Sequence, residues 1–159
     1  MKKMNKKGFT LVELLAVIAI LAILVIIALP NVLSMFNKAK KDTFASETKD
    51  MVRISQQQYL ADFGKFTRYA VEGSDNTGIT NFKVIDCSKE PGKYKESTGN
   101  YCKIDKDAGN LTKFVIEFDK ADGKVTKVIS SDGTYNYTFP NADKTVFDSR
   151  DIADNGTSN

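Results

Sequence analysis

The chain changes its hydrophobic pattern three times. From Leu14 to Pro30 (LLAVIAILAILVIIALP) no side chain is charged or strongly polar. Counted back to Phe9, the segment would span about 31 Å as a helix, enough to cross the hydrocarbon core of a bilayer. We read residues 9–31 as a membrane-spanning helix. Over residues 32–63 the pattern becomes amphipathic, with Phe44, Met51, Val52, Tyr59, Leu60 and Phe63 near helical spacing amid Lys, Asp, Glu and Gln. The helix is expected to continue to about Asp62, with Gly64 as its C-terminal cap, since a left-handed residue there costs glycine nothing. Pro30 lacks an N–H and crowds the carbonyl of Ile26, so the helix should bend or loosen there. A plain kink and a segment that unwinds in an assembly both fit.

Residues 64–111 carry turn signals at Gly73-Ser74-Asp75-Asn76, Pro91-Gly92 and Thr98-Gly99-Asn100, with one short strand expected from Phe82 to Asp86. Three clearer strands follow over residues 112–159: Lys113 to Asp119, Lys124 to Ser130 and Thr134 to Phe139. Asp122-Gly123 and Asp132-Gly133 supply tight turns, which makes an antiparallel meander. Phe114, Ile116 and Phe118 alternate onto one face, taken as the face packed on the helix, and Val125, Ile129, Tyr135, Tyr137 and Phe139 are expected to continue that layer. From Pro140 the chain is polar, with Val146, Phe147 and Ile152 as its few apolar residues, and no ordered element is expected from about Ala153. The fold class is therefore α+β: a long kinked N-terminal helix packed on a C-terminal antiparallel sheet.

The formal charge of +3 includes Lys2, Lys3, Lys6 and Lys7. Without these four the charge is near −1, so basicity gives no reason to expect direct nucleic-acid binding. The same lysines favour a cytoplasmic N-terminus, although Lys38, Lys40 and Lys41 beyond the apolar run weaken the contrast. The two cysteines, Cys87 and Cys102, suit one disulfide in an oxidising, exported domain. The loop it closes would be worth roughly 3 kcal/mol in the chain-entropy view. It would also tie down the long segment between helix and meander.

There is no histidine, no nucleophile motif, no Gly-rich phosphate loop and no redox-spaced cysteine pair, so neither an enzyme nor a cofactor is expected. Zinc lacks ligands. Asp119, Asp122, Asp132, Asp143 and Asp148 lack EF-hand spacing and fall mostly at turns, so no metal site is assigned. The sequons at Asn110 and Asn136 carry no weight without the host.

One residue breaks the apolar run. Glu13 places a carboxylate within it, and an ionised side chain in a bilayer costs on the order of 2.5 to 3.5 kcal/mol at the centre, less near an interface. Such an acid calls for a cation. Cleavage after Gly8 would create one, because the amide of Phe9 becomes an amine that is charged below its pKa of about 8. In one helix the two groups are separated by about 6 Å of rise, so pairing within a chain and pairing with a staggered neighbour both remain open. A secretory signal peptide fits less well, since its cut follows a shorter apolar core, whereas this one would precede it.

The leader ending in Gly8, then Phe9-Thr10-Leu11-Val12-Glu13 and a long hydrophobic helix, resembles the prepilin signature of type IV pilins and pseudopilins. The stretch Tyr59 to Tyr69 (YLADFGKFTRY) is similar to the aromatic-glycine-aromatic helix exit of many of them. The resemblance implies a leader over residues 1–8, cleavage between Gly8 and Phe9 by a membrane peptidase, N-methylation of Phe9, and Glu13 as a guide to polymerisation. It also implies partners: other copies of the chain or other pilins, the prepilin peptidase and methyltransferase, assembly-platform proteins and the cytoplasmic membrane. Pro30 falls where the family places its helix-kinking proline. Ala16, Ala19, Ala22 and Ala28 would let neighbouring helices approach closely. The expected function is that of a pilus subunit, anchored in the cytoplasmic membrane and then extracellular, serving adhesion, motility or DNA uptake. The alternatives are a pseudopilin of a type II secretion or competence system and, from another class, a monomeric single-span binding protein in which Glu13 is dispensable.

Overall fold

The computed structural model describes residues 9–74, 81–95, 99–104 and 107–158. The chain divides into two compact units, residues 1–39 and 40–159. Helix α1, Leu11–Ala61, begins in the first and ends in the second, and is continuous through Pro30. In the first unit every described residue is exposed, including the large apolar side chains from Leu11 to Phe36. This is a helix long and apolar enough to cross a membrane.

The second unit carries the sheet. Its described strands are β1 (Arg68–Ala70), β2 (Lys83–Ile85), β3 (Asn100–Lys103), β4 (Lys113–Phe118), β5 (Val125–Ser131), β6 (Tyr135–Phe139) and β7 (Thr157–Ser158). They lie in the order β2-β3-β1-β4-β5-β6-β7. The meander β4-β5-β6 is antiparallel, as is β1 against β4, while β2, β3 and β1 pair in parallel. The segment 64–111 thus contributes β1 and β3 besides the one expected strand. β1 lies inside the sheet between β3 and β4, with Tyr69 opposite Cys102 on one side and Ile116 on the other. Strands this short give little periodic signal. The turn residues Asp75, Asn76 and Thr98 lie outside the described residues.

Phe44, Ala45, Thr48, Met51, Val52 and Ser55 form the buried stripe of α1, and they meet Tyr69, Cys102, Phe114, Ile116, Phe118, Val128, Tyr137 and Phe139 in one core. The spacing i, i+4, i+7/8, i+11 is that of one helix face. Tyr59 extends it and stacks on Phe118, centroids 4.6 Å apart. Leu60 and Phe63 do not join: they are 70% and 96% exposed. Leu60 is one residue, about 100° of helical turn, past Tyr59. Phe63 follows the helix in a left-handed conformation, φ 54°.

The helix end also departs from expectation. Gly64 N–H donates to the Tyr59 carbonyl (2.9 Å) and Phe63 N–H to that of Leu60 (3.0 Å), which is the paired pattern of a Schellman cap. The first left-handed position is therefore Phe63, where a β-carbon costs about 1 kcal/mol or more. Gly64, φ 67°, comes next, and a β-carbon there would lie 3.0 Å from the Tyr59 hydroxyl oxygen.

Two further expectations are corrected. Ile129 does not share the helix-facing layer; it packs with Ala70, Tyr101 and Val115 on the opposite face. The pairing shifts from Glu117 opposite Lys127 to Phe118 opposite Val125, so the extra residue, Thr126, is a bulge that flips the alternation after it. Val128 and Ser130 then point inward in its place. The C-terminal segment is ordered as well. Short helix α2, Asp151–Asp154, buries Ile152 completely, and β7 pairs with β6 through Tyr135 and Asn136.

Within the core, the hydroxyls of Thr48 and Ser130 hydrogen-bond at 2.8 Å, both fully buried, joining α1 to β5. Thr48→Val should leave Ser130 unpaired and lower the unfolding free energy by about 1 to 3 kcal/mol. Adding Ser130→Ala should recover much of that loss; chemical denaturation of the two variants checks it, and an additive double variant would contradict it.

Burial raises the pKa of the Tyr69 hydroxyl, helped by its hydrogen bond to Asp62 (2.9 Å), and of Tyr101, helped by its hydrogen bond to Glu117. Tyr137 is pushed up to about 12, chiefly by burial. Folded values above the unfolded value of about 10 contribute stability that is complete below pH 10 and lost as pH rises toward the folded values. The unfolding midpoint should fall above about pH 10, and Tyr69→Phe should make that fall shallower by about 1.4 kcal/mol per pH unit. An unchanged alkaline slope in this variant would contradict the assignment.

Candidate functional site at the start of the long helix

α1 starts with a reciprocal set of hydrogen bonds. Thr10 precedes the helix, and its carbonyl accepts the N–H of Leu14 at 3.2 Å. Glu13 N–H donates to Thr10 Oγ1 at 3.3 Å, and Glu13 Oε2 accepts from both the N–H and the hydroxyl of Thr10 at 2.8 Å each. This is a capping box, in which a threonine and a glutamate three residues later satisfy each other's free amides. A carboxylate in the first turn also sits at the positive end of the helix dipole.

Glu13 is therefore placed by its neighbour, and Thr10 is the functional residue that the sequence reading left without a role. The T-x-x-E spacing of Thr10 and Glu13 was the available signal. Both Thr10 donors are neutral. They satisfy Oε2 without cancelling its charge. Cleavage between Gly8 and Phe9 would leave the Thr10 amide untouched, so the box would survive maturation. Phe9 lies just before the helix and is 90% exposed. Gly8 lies outside the described residues.

A profile of the family described as "Prokaryotic N-terminal methylation motif" matches residues 3–29. The chain is 30% identical over 129 residues, 80% of its own length and 93% of the relative's, to the "Type IV wide pilus major component PilA4" of Thermus thermophilus. The chain belongs to the type IV pilins. No solved structure matches it. Pilins of this family are processed by a prepilin peptidase and self-polymerise into filaments, and this pilin is a subunit of that type.

The remaining sequence-derived positions lie elsewhere in the chain. Pro30 lies inside α1 of this pilin. Cys87 and Cys102 are disulfide-bonded in the second unit, Cα atoms 5.3 Å apart, linking the chain after β2 to β3. The turn aspartates are engaged with backbone: Asp119 accepts from Ala121 N–H, Asp122 from Lys124 N–H, and Asp132 from Thr134 and Tyr135 N–H. The sequon residue Asn110 donates its side-chain amide to Glu47 at 2.7 Å.

The box yields a prediction for the first turn. Thr10→Val removes the hydroxyl that both donates to and accepts from Glu13, a capping loss of about 0.5 to 2 kcal/mol. In detergent, amide hydrogen exchange of Glu13 and Leu14, the two amides bonded to Thr10, should speed up by roughly tenfold, with exchange beyond Pro30 unchanged. Unaltered exchange in the first turn would contradict the cap.

Proposed function

We propose that the chain is made as a prepilin, with residues 1–8 on the cytoplasmic side and α1 crossing the cytoplasmic membrane. The prepilin peptidase hydrolyses the Gly8–Phe9 bond, and the new amine of Phe9 is N-methylated. With the help of assembly-platform proteins the mature subunit then enters a surface filament of the type IV pilus class, serving adhesion, motility or DNA uptake. The observation that carries this reading is the uncovered helix: every described residue from Phe9 to Ala39 is exposed, and the sole acid among them is Glu13.

Lipid covers that surface before assembly, and only other copies can cover it afterwards. In lipid, hydrophobicity gives helices no reason to associate. Packing at Ala16, Ala19, Ala22 and Ala28 and one charge pair must supply the specificity. We assign that pair to the carboxylate of Glu13 and the terminal amine of Phe9 on an adjacent subunit. The relative in Thermus thermophilus is named as a pilus component, which favours a pilus subunit over a pseudopilin.

Replacing Glu13 tests the reading. Glu13→Ala should accumulate in the membrane at wild-type levels yet yield no filaments in sheared surface fractions. Glu13→Gln, which keeps a hydrogen-bonding group but no charge, should assemble far less than wild type. Normal filaments from Glu13→Ala would overturn the assembly role and favour a monomeric single-span protein.

A further inference from the structure

Two features of the second unit are left over from the fold and from the helix start. The first is the exit of α1. Phe63 is 96% exposed and held in a left-handed conformation, φ 54°, where glycine is the usual residue. Among the described residues the ring finds almost no packing to offset that conformation. Leu60, also exposed, stands beside it on the last turn of α1.

The second is an open groove of about 740 Å³. Its apolar lining is Val125, Phe139, Pro140, Val146 and Phe147; Gln56 of α1 and the charged Asp119, Asp122 and Lys124 line it as well. Val146 is 77% exposed on it, and Phe147 packs edge-on against Phe139 with centroids 5.3 Å apart. The groove has room for a phenylalanine and a leucine side chain together. One chain therefore carries both an apolar projection and a recess with an apolar wall.

A polymer that grows by adding identical subunits without closing needs a contact of this type, in which one patch of each copy meets a different patch of the next. We propose that Phe63, flanked by Leu60, seats in the groove of a second copy of this chain, forming a contact between the folded halves of neighbouring subunits. The proposal rests on the pilin reading for the existence of a polymer and adds to it which surfaces of the folded halves meet. An exposed aromatic entering an apolar pocket is the usual anchor of a protein interface. Continuity along α1 also supports a second copy as occupant: the helix whose bare half must be covered by other copies is the one that ends in Leu60 and presents Phe63.

The test uses the full chain in cells that assemble it. Phe63→Gly should raise the melting temperature of the detergent-solubilised subunit by a few degrees, because glycine adopts the left-handed position freely. Its filaments should nevertheless dissociate at lower temperature than wild type. A residue with only a structural role would move both measurements the same way, and that result, or filaments of undiminished stability, would overturn the proposal.

Cysteine pairing gives the second readout. Cells co-expressing Phe63→Cys and Val146→Cys chains should give disulfide-linked dimers in the sheared filament fraction, whereas neither variant alone should. Filaments without that dimer, dimers from Phe63→Cys alone, or cross-linking to a different protein would each overturn it. If the wild-type chain forms no filament, the pilin reading itself fails, and this inference fails with it. Filaments that lack the cross-link reject the groove contact alone.

Discussion

An apolar helical surface with nothing packed on it is the constraint from which the rest follows. From Leu11 to Phe36 the side chains of α1 lie open, and each Å² left in water costs about 25 cal/mol. Two media remove that cost, a bilayer and a bundle of the same helices. Passage between them has to be continuous, since any intermediate with the helix in water is expensive. On the proposed reading, extraction from lipid and addition to a polymer would be one coupled event, and specificity would fall to the few features that are not simply apolar, among them the alanines, Pro30 and Glu13.

The second unit is held together by contacts of its own. It owns a complete core, built by one stripe of α1 and the inner face of the sheet. The Thr48–Ser130 hydrogen bond fixes the register of helix on sheet, the disulfide ties β3 to the loop after β2, and Tyr59 closes the helix exit against Phe118 and Gly64. Glu117 lies between Arg68 and Lys127 on neighbouring strands, 3.7 and 3.4 Å away, and ties the outer face together. None of these contacts draws on the bare half of the helix.

The elements with one unmixed period were legible from the residues. The apolar run and the meander each follow a single rule over many positions, and the structure keeps them. What escaped was set by distant partners. β1 and β3 are three and four residues long and exist because they pair with each other and with β4, which no local pattern announces. Ile129 was assigned to the wrong face because a bulge at Thr126 resets the alternation, and β7, two residues long, is held by β6. Phe63 looked like the next core residue by spacing, but the helix stops two residues earlier and the chain turns its ring outward. At the helix start the emphasis on charge concealed a hydrogen-bonding motif, Thr10 with Glu13, that was readable in four residues.

The capping box and the proposed charge pair are complementary. Thr10 aims the carboxylate and satisfies one oxygen; a cation would neutralise it. In the proposed processing, removal of the leader would supply that cation, and the same step would take away four lysines that an apolar bundle could not accommodate. The most direct measurement is intact mass and N-terminal sequencing of the subunit taken from sheared surface filaments. The account predicts a chain beginning at methylated Phe9 and no detectable residue 1–8 peptide. Filaments built from chains that still begin at Met1 would contradict it.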